Sequence, residues 1–301
     1  MRIIRYAAPT VTIGVETSDG QVHPLPHRSL AELLRLPLVA VKESVEAALA
    51  VPPDLTTEAI RLLPPVDGLT EVWAAGVTYA RSSAARQEES VVADVYSRVY
   101  DAERPELFFK GVAWRAVGHD EPIGIRPDSA IDVPEPELAL VVNAGGEVVG
   151  VTVCDDVSSR AIEGENPLYL PQAKIYAGSL ALGPGITPVW ALDEHGGLGG
   201  LGITVQVLRG TEVVWAGATS TAHLHRTFDD LVEHARRHLA FPDGLVLSTG
   251  TGLVPDLDIT LRDGDVVEIV VDGVGTLRNP VRDATHEAFA WLTPEPTRTP
   301  V

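Results

Sequence analysis

The sequence predicts a strand-rich α+β protein, with a small N-terminal β/α module followed by a larger domain built on a rolled, mixed β-sheet. Apolar side chains alternate with a period of two in many segments after residue 105, and Gly-rich turns separate these segments. The 27 glycines and 23 prolines fit the many turns of such a fold. Hydrophobic residues make up 45% of the 301 and charged residues 22%, as is usual for a globular protein.

The first 65 residues predict the small module. Ser29 is placed to cap a helix, and Glu32 three positions later completes a capping box. The strands and helices expected here are Arg2–Tyr6, Val11–Glu16, a third short strand, Ala31–Arg35 and Lys42–Ala50. Pro64-Pro65 then predicts a boundary, which divides the chain into residues 1–65 and 66–301.

The larger part is expected to open with a long helix over Tyr79–Tyr100 and to continue mainly as strands. Gly145-Gly146 suits a tight turn between two of these strands, which predicts a hairpin. The further elements expected are strands at Leu107–Phe109, Glu137–Val142, Val148–Cys154, Ile203–Leu208, Glu212–Trp215 and Asp265–Val271, and a helix at Phe228–Leu239.

Charge and cysteine content exclude several classes of function. A formal charge of −19 argues against partners such as nucleic acid and anionic membranes, which need a basic surface. The one cysteine, Cys154, excludes an internal disulfide and a cysteine-based zinc site. The N-terminus lacks a signal-peptide core, and no apolar run is long enough to span a membrane, so a cytoplasmic location is expected.

Two glutamates open an apolar strand and predict a metal site. Glu135 and Glu137 are two positions apart, so an extended chain directs both carboxylates to the same face. The predicted hairpin returns the chain at Asp156, beside the glutamates. Three oxygen ligands favour Mg²⁺, with Mn²⁺ or Ca²⁺ as alternatives. The competing interpretation is a pair of solvent-facing carboxylates at the start of a strand.

Two further segments carry polar groups of interest. Lys174 stands before the tight Leu182-Gly183-Pro184 segment, where it is either a surface lysine or a partner for a substrate carboxylate. The segment from Ser248 to Gly252 offers hydroxyl and N–H groups to an anion, or is an ordinary loop. The histidine pairs 223/225 and 234/238 lack a third ligand, so neither predicts a metal site.

Together these segments resemble the fumarylacetoacetate hydrolase superfamily. The resemblance rests on Glu135-x-Glu137-Leu138-Ala139, on Asp155 to Arg160, on Lys174, and on Thr249-Gly250-Thr251-Gly252. It implies that Glu135, Glu137 and Asp156 bind Mg²⁺ or Mn²⁺, and that Lys174 contacts the substrate or metal-bound water.

The hydrolases of that superfamily carry a histidine that helps to activate water, and this sequence departs from them at that position. Ser82 or Ser83 stands where the histidine is expected. Tyr79-x-x-Ser82-x-x-x-Arg86, the segment 104–110 and the segment 163–174 instead resemble the 2-keto-3-deoxypentonate dehydratase branch. A second departure is Ala161, where an aspartate that orients Arg160 is common.

This resemblance implies a Mg²⁺-dependent hydro-lyase that dehydrates a small anionic 2-keto-3-deoxy sugar acid to a 2-oxo semialdehyde, as a homodimer or homotetramer. It implies catalytic roles for Glu106 and Lys174. The substrate contacts that it implies are Ser82, Arg86, Lys110, Arg160 and Thr251. Two alternatives stay open: a hydrolase of the acylpyruvase type that cleaves a C–C bond in a 2,4-dioxo acid, and a catalytically silent metal-binding scaffold.

Overall fold

The computed structural model describes residues 1–80, 98–193 and 196–294. The strands are β1 (Arg2–Ala7), β2 (Val11–Glu16), β3 (Gln21–Pro24), β4 (Leu55–Thr56), β5 (Arg61–Leu63), β6 (Glu71–Gly76), β7 (Glu106–Val112), β8 (Ile123–Ile125), β9 (Asp132–Val133), β10 (Pro136–Val142), β11 (Val148–Asp156), β12 (Ser158–Ser159), β13 (Leu180–Pro188), β14 (Gly202–Arg209), β15 (Glu212–Ser220), β16 (Leu245–Ser248), β17 (Asp265–Val271) and β18 (Gly275–Asp283). The α-helices described are α1 (Leu30–Leu34), α2 (Leu38–Leu49), α3 (Arg160–Glu165), α4 (Leu170–Lys174) and α5 (Phe228–Arg236).

The largest sheet runs in the order β4-β3-β2-β1-β13-β11-β10-β16-β6-β7, with β5 also paired to β1. Its central strand β10 is buried along its whole length. Leu138 and Leu140 pack into one hydrophobic cluster, whereas Ala139 and Val141 pack into another. Because successive side chains point to opposite faces of a strand, a sheet covered on both faces needs this continuous apolar run.

The N-terminal segment continues the large sheet. Strand β1 pairs with β13 at Ile3 and Ile186. Leu30 and Val41, from the two N-terminal helices, share a hydrophobic cluster with Val141 of β10. One hydrophobic core therefore contains residues from both sides of the predicted domain boundary at residues 64–68. The division into domains 1–65 and 66–301 stays a prediction.

The two N-terminal helices form where the sequence predicts them, with one shifted start. Ser29 Oγ accepts a hydrogen bond from Glu32 N at 3.1 Å, and Glu32 Oε2 accepts one from Arg28 N at 2.9 Å. Helix α2 begins at Leu38, four residues before the predicted start. Its first amide donates to Glu147 Oε2 at 2.8 Å, a distant carboxylate that stabilises the extra turn.

Most elements of the larger part match their predictions. The β10–β11 hairpin pairs Glu137 with Cys154, β14 and β15 form the second hairpin, and β17 has the predicted bounds. Helix α5 ends three residues before the predicted Leu239. The long helix expected over 79–100 lies largely outside the described residues. Within the described ranges, no helix is both long and apolar enough to cross a membrane.

Candidate metal centre and catalytic cavity

The β10–β11 hairpin brings three carboxylates together. Glu135 precedes β10, Glu137 is its second residue and Asp156 ends β11. Asp156 N donates to Glu135 O at 3.0 Å, which fixes the register at the open end of the hairpin. One oxygen from each carboxylate lies within 4.8 Å of the other two, and all three residues are buried. The predicted convergence of these three carboxylates is confirmed.

Glu137 is held by the last residue of β16 and by the loop that follows this strand. Ser248 Oγ donates to Glu137 Oε2 at 2.5 Å, and Gly250 N donates to the same oxygen at 2.7 Å. The sequence left open whether this segment offers donors to an anion or is an ordinary loop. Two of those donors bind an anion of the protein itself, because β16 pairs with β10 and places the loop beside Glu137.

Two cationic side chains, Lys174 and Arg160, bind the other two carboxylates. Lys174 Nζ lies 2.7 Å from Glu135 Oε2 and 3.1 Å from Asp156 Oδ2, and it donates to Ser158 Oγ at 2.5 Å. Arg160 Nη2 donates to Glu135 Oε1 at 3.0 Å. Lys174 is thus buried in contact with two of the three expected metal ligands, and it is not a surface lysine.

Lys110 lies behind Asp156. Its ammonium group lies 2.5 Å from Asp156 Oδ1, and it donates to Lys174 O at 2.6 Å and to Val157 O at 3.2 Å. The side chain is 1% exposed, and Lys110 is absent from the residues that line the cavity described below. Its position supports a role in orienting Asp156 and the Lys174 backbone, whereas contact between Lys110 and substrate stays a prediction.

The charges of the centre fit a divalent cation. Burial and the nearby carboxylates of Asp156 and Glu135 raise the pKa of Glu137 well above its usual range. The hydrogen bonds to Glu137 that the described residues supply come from neutral donors, Ser248 and Gly250. A dication among the three oxygens would reverse this repulsion, and three hard oxygen donors suit Mg²⁺.

A cavity opens on the three carboxylates. Its described lining consists of Ala75, Gly76, Val77, Glu106, Phe108, Glu135, Glu137, Asp156, Glu163, Leu170, Lys174, Gly250 and Thr251. Glu106, predicted to be catalytic, begins β7 and pairs with Gly76 at the end of β6. A Cβ at position 76 would overlap a carboxyl oxygen of Glu106. The glycine therefore leaves space for this carboxyl against the strand.

The residues predicted to contact the substrate lie at different places relative to the cavity. Thr251 lines the cavity, and its hydroxyl donates to Pro136 O at 3.0 Å. Arg160 binds Glu135 and is absent from the cavity lining. Ser82 and Arg86 lie outside the described residues. Substrate contact by these four residues stays a prediction.

Sequence reasoning missed three polar residues of the centre. Glu163 lines the cavity, Ser158 accepts from Lys174, and Asp155 Oδ1 accepts from Glu135 N at 3.0 Å. Burial raises the pKa of Asp155 to about 7. The signal in the sequence that could have revealed Glu163 is its spacing from Arg160. The two residues are three positions apart, so they share one face of a helix.

Residues 71–282 match the family model described as "Fumarylacetoacetate (FAA) hydrolase C-terminal". The matched segment includes the three carboxylates, Lys174 and the loop that holds Glu137. The chain belongs to the fumarylacetoacetate hydrolase family. The predicted resemblance is confirmed.

Two relatives of this chain are named as dehydratases. The "Probable 2-keto-3-deoxyxylonate dehydratase" of Haloferax volcanii is 49% identical over 218 residues, which cover 72% of this chain and 73% of the relative. The "2-dehydro-3-deoxy-D-arabinonate dehydratase" of Saccharolobus solfataricus is 43% identical over 227 residues, which cover 74% and 75%.

A solved structure confirms the predicted fold class. It is described as "2-keto-3-deoxy-D-arabinonate dehydratase complexed with magnesium and 2,5-dioxopentanoate", and it superposes with a TM-score of 0.80 at 34% identity. The match covers 94% of this chain and 99% of that one. The strand-rich α+β architecture of the fumarylacetoacetate hydrolase family therefore extends over almost the whole chain, N-terminal segment included.

Proposed function

We propose that this protein is a Mg²⁺-dependent hydro-lyase that dehydrates 2-keto-3-deoxypentonates to 2,5-dioxopentanoate. The observation that carries the proposal is the cavity in which Glu106 and Lys174 accompany three buried carboxylates placed to hold a metal. The relative from Haloferax volcanii, 49% identical, supports the same reaction class.

Glu135, Glu137 and Asp156 would hold the metal. When bound, the ion supplies a Lewis acid that polarises the C2 carbonyl of the substrate and makes the C3 protons more acidic. Glu106 accepts a C3 proton in this proposal, and a positioned carboxylate of this kind contributes about 10²- to 10⁴-fold to the rate.

The chain's own cations and hydroxyls bind the anionic substrate. Lys174 is 2% exposed and lies against the cavity, where an ammonium group lowers the electrostatic cost of bringing a carboxylate beside Glu106. Its Nζ lies 5.6 Å from the centre of the Phe108 ring, which limits its movement. Thr251 offers a second polar group from the opposite loop.

Turnover of defined sugar acids tests the proposal. The purified protein is incubated with Mg²⁺ and 2-keto-3-deoxy-D-arabinonate or 2-keto-3-deoxy-D-xylonate, and products are followed by proton NMR. We expect the aldehyde signal of 2,5-dioxopentanoate. Cleavage of a 2,4-dioxo acid into two acids would instead identify a C–C hydrolase, and Mg²⁺ binding without any turnover would identify a silent scaffold.

The metal ligands are tested separately by titration. A Glu135→Ala and Glu137→Ala double variant should lose measurable Mg²⁺ binding in calorimetry, because it retains one carboxylate of three. Unchanged Mg²⁺ affinity would show that the ion binds elsewhere.

We further propose a homodimer or homotetramer located in the cytoplasm. Strand β15 ends its sheet, spans nine residues and carries a single charged residue, Glu212. Long edge strands with little charge are usually paired or covered in native proteins, which supports association with a second copy. Light scattering coupled to size-exclusion chromatography tests the assembly, and a monomer mass would contradict it. Cell fractionation tests the location.

A further inference from the structure

The strand that carries Glu106 begins a few residues after a helix ends. Residues 98–100 are helical, and β7 begins at Glu106. The last carbonyl groups of a helix have no partner within it, so donors from elsewhere in the molecule must bind them. The position of Glu106 therefore depends on what holds the residues between this helix end and β7.

Arg226 supplies donors to this connection from a distant part of the chain. Its Nη2 donates to Ala102 O at 2.5 Å and to Val99 O at 3.4 Å. Its Nη1 donates to Glu103 O at 3.5 Å. The guanidinium group is itself held by Asp230 of α5, whose Oδ2 lies 3.3 Å from Nη1. A cation at these carbonyls also interacts favourably with the negative end of the helix dipole.

The connection from residues 102–103 to Glu106 is stiff. Pro105 has a fixed φ, and its ring restricts Arg104 to extended conformations. Pro105 is also buried. The Glu106 carboxyl has little free space, since a Cβ at position 76 would overlap it. A displacement of residues 102–103 would therefore move the Glu106 carboxyl within a closely fitted site.

His225 joins this helix end to the other side of the cavity wall. Its ring stacks on Tyr100 with the ring centroids 4.3 Å apart, and its backbone N–H donates to Thr78 O at 2.9 Å. Thr78 follows Val77, which lines the cavity and has a φ of 54°. A β-branched residue rarely adopts this conformation, and it persists only where the surrounding structure holds it. One short segment thus contacts both stretches of chain that lead to the cavity wall.

We propose that Arg226 is a positioning residue, which places the Glu106 carboxyl for removal of the C3 proton by holding the carbonyls of Ala102 and Glu103. The inference rests on the proposed function, because Glu106 has this task only in that reaction. Arg226 acts through the backbone and touches neither substrate nor metal in this role. A misplacement of about 1 Å in a reacting group can lower a rate about 10²-fold.

Steady-state turnover of Arg226→Ala tests the proposal, with Arg237→Ala as the matched control. Arg237 follows α5, is 40% exposed and pairs with Glu233 at 2.9 Å. Each protein is assayed with saturating Mg²⁺ over a range of 2-keto-3-deoxypentonate concentrations, so that kcat and KM are obtained separately. Thermal melts and Mg²⁺ titrations accompany the assay. Arg226→Lys provides a second variant that keeps a cation if Arg226→Ala fails to fold.

We expect kcat of Arg226→Ala to fall about 10- to 100-fold, while KM and Mg²⁺ affinity stay at their wild-type values. The three carboxylates of the metal centre lie on or beside the β10–β11 hairpin, which keeps its own contacts. Arg226→Lys should retain part of the activity, because an ammonium group can donate to Ala102 O but lacks the fork that reaches several acceptors. Arg237→Ala should match the wild type.

Chemical rescue distinguishes positioning from a purely structural role. Millimolar guanidinium should restore part of kcat in Arg226→Ala, because the ion can occupy the space of the missing group, and it should leave Arg237→Ala unchanged. If Arg226 only stabilises the fold, guanidinium should lower the activity further, since it weakens hydrophobic burial.

A wild-type kcat in folded Arg226→Ala would overturn the inference. A raised KM with unchanged kcat would also overturn it, because Arg226 would then serve substrate binding. The same holds for a loss of kcat that guanidinium does not reverse and Arg226→Lys does not reduce. These outcomes all require that the wild type forms product. If the wild type forms none, the proposed function fails and this inference fails with it.

Discussion

Replacing Glu137 with glutamine should stabilise the metal-free protein and abolish metal binding. The substitution removes one negative charge but keeps the shape of the side chain. Glu137 Oε2 accepts hydrogen bonds from Ser248 Oγ at 2.5 Å and from Gly250 N at 2.7 Å, and the glutamine oxygen can accept both. The effect on stability therefore comes mainly from the charge.

The distances in the metal centre set the magnitude. The ligand oxygens of Glu135, Glu137 and Asp156 lie within 4.8 Å of one another. At this separation and an effective dielectric constant of about 20, each pair of charges interacts by about 3.5 kcal/mol. Two repulsions on Glu137, partly offset by a weaker attraction to Lys174, leave at least about 3.5 kcal/mol to be relieved.

Protonation sets the direction of the pH dependence. Burial and two neighbouring carboxylates raise the pKa of Glu137 well above its ordinary 4.5, so the folded protein favours the protonated form. The contribution of this group to stability is therefore full below pH 4.5 and is lost as the pH rises towards the raised pKa.

Thermal unfolding of EDTA-treated protein between pH 4.5 and 8 measures the effect. The Glu137→Gln midpoint should exceed that of the wild type by roughly 5–10 °C at pH 7.5 and should approach it near pH 4.5. Saturating Mg²⁺ should raise only the wild-type midpoint, and Glu165→Gln should behave as the wild type. A metal-free variant less stable than the wild type at pH 7.5 would refute the reasoning, as would a retained Mg²⁺ shift.

Three further substitutions test the surroundings of the centre. Lys110→Met should lower Mg²⁺ affinity about 10- to 100-fold, since Lys110 orients Asp156 at 2.5 Å; calorimetry showing unchanged affinity would contradict this. Ser248→Ala removes a buried hydrogen bond to Glu137 and should lower the free energy of unfolding by about 1–2 kcal/mol in urea titrations with Mg²⁺ present. Burial raises the pKa of Asp132 to about 6, so the wild type should lose up to about 3 kcal/mol of stability as the pH rises from about 4 to about 6. Asp132→Asn should lack this loss in unfolding measurements across the same range, and an unchanged pH slope would exclude Asp132 as its source.

Local patterns were sufficient to predict many elements of the fold and the convergence of Glu135, Glu137 and Asp156. The alternation in Asp265–Val271 predicted β17 at its observed bounds, because one face of that strand is buried and the other is partly exposed. The spacing of Glu135 and Glu137, with Asp156 on the returning strand, predicted the cluster, because hairpin register follows from the turn.

Local sequence patterns could not predict contacts between segments that are distant in the chain. The start of α2 depends on Glu147, which lies in the turn of the β10–β11 hairpin. The position of Lys110 behind Asp156 depends on β7 lying against the segment after β11. No sequence pattern indicated that Glu163 belongs to a helix, because a six-residue helix with an inward charged face has no apolar periodicity to reveal it.

The sequence by itself determined which carboxylates meet, since two-residue periodicity and a tight turn are local properties of the chain. Only the tertiary structure decided what surrounds them: Ser248 and Gly250 on Glu137, Lys110 behind Asp156, and Glu106 and Glu163 on one cavity. These partners come from segments far apart in the chain. Their meeting depends on strand order and packing, which no local pattern encodes.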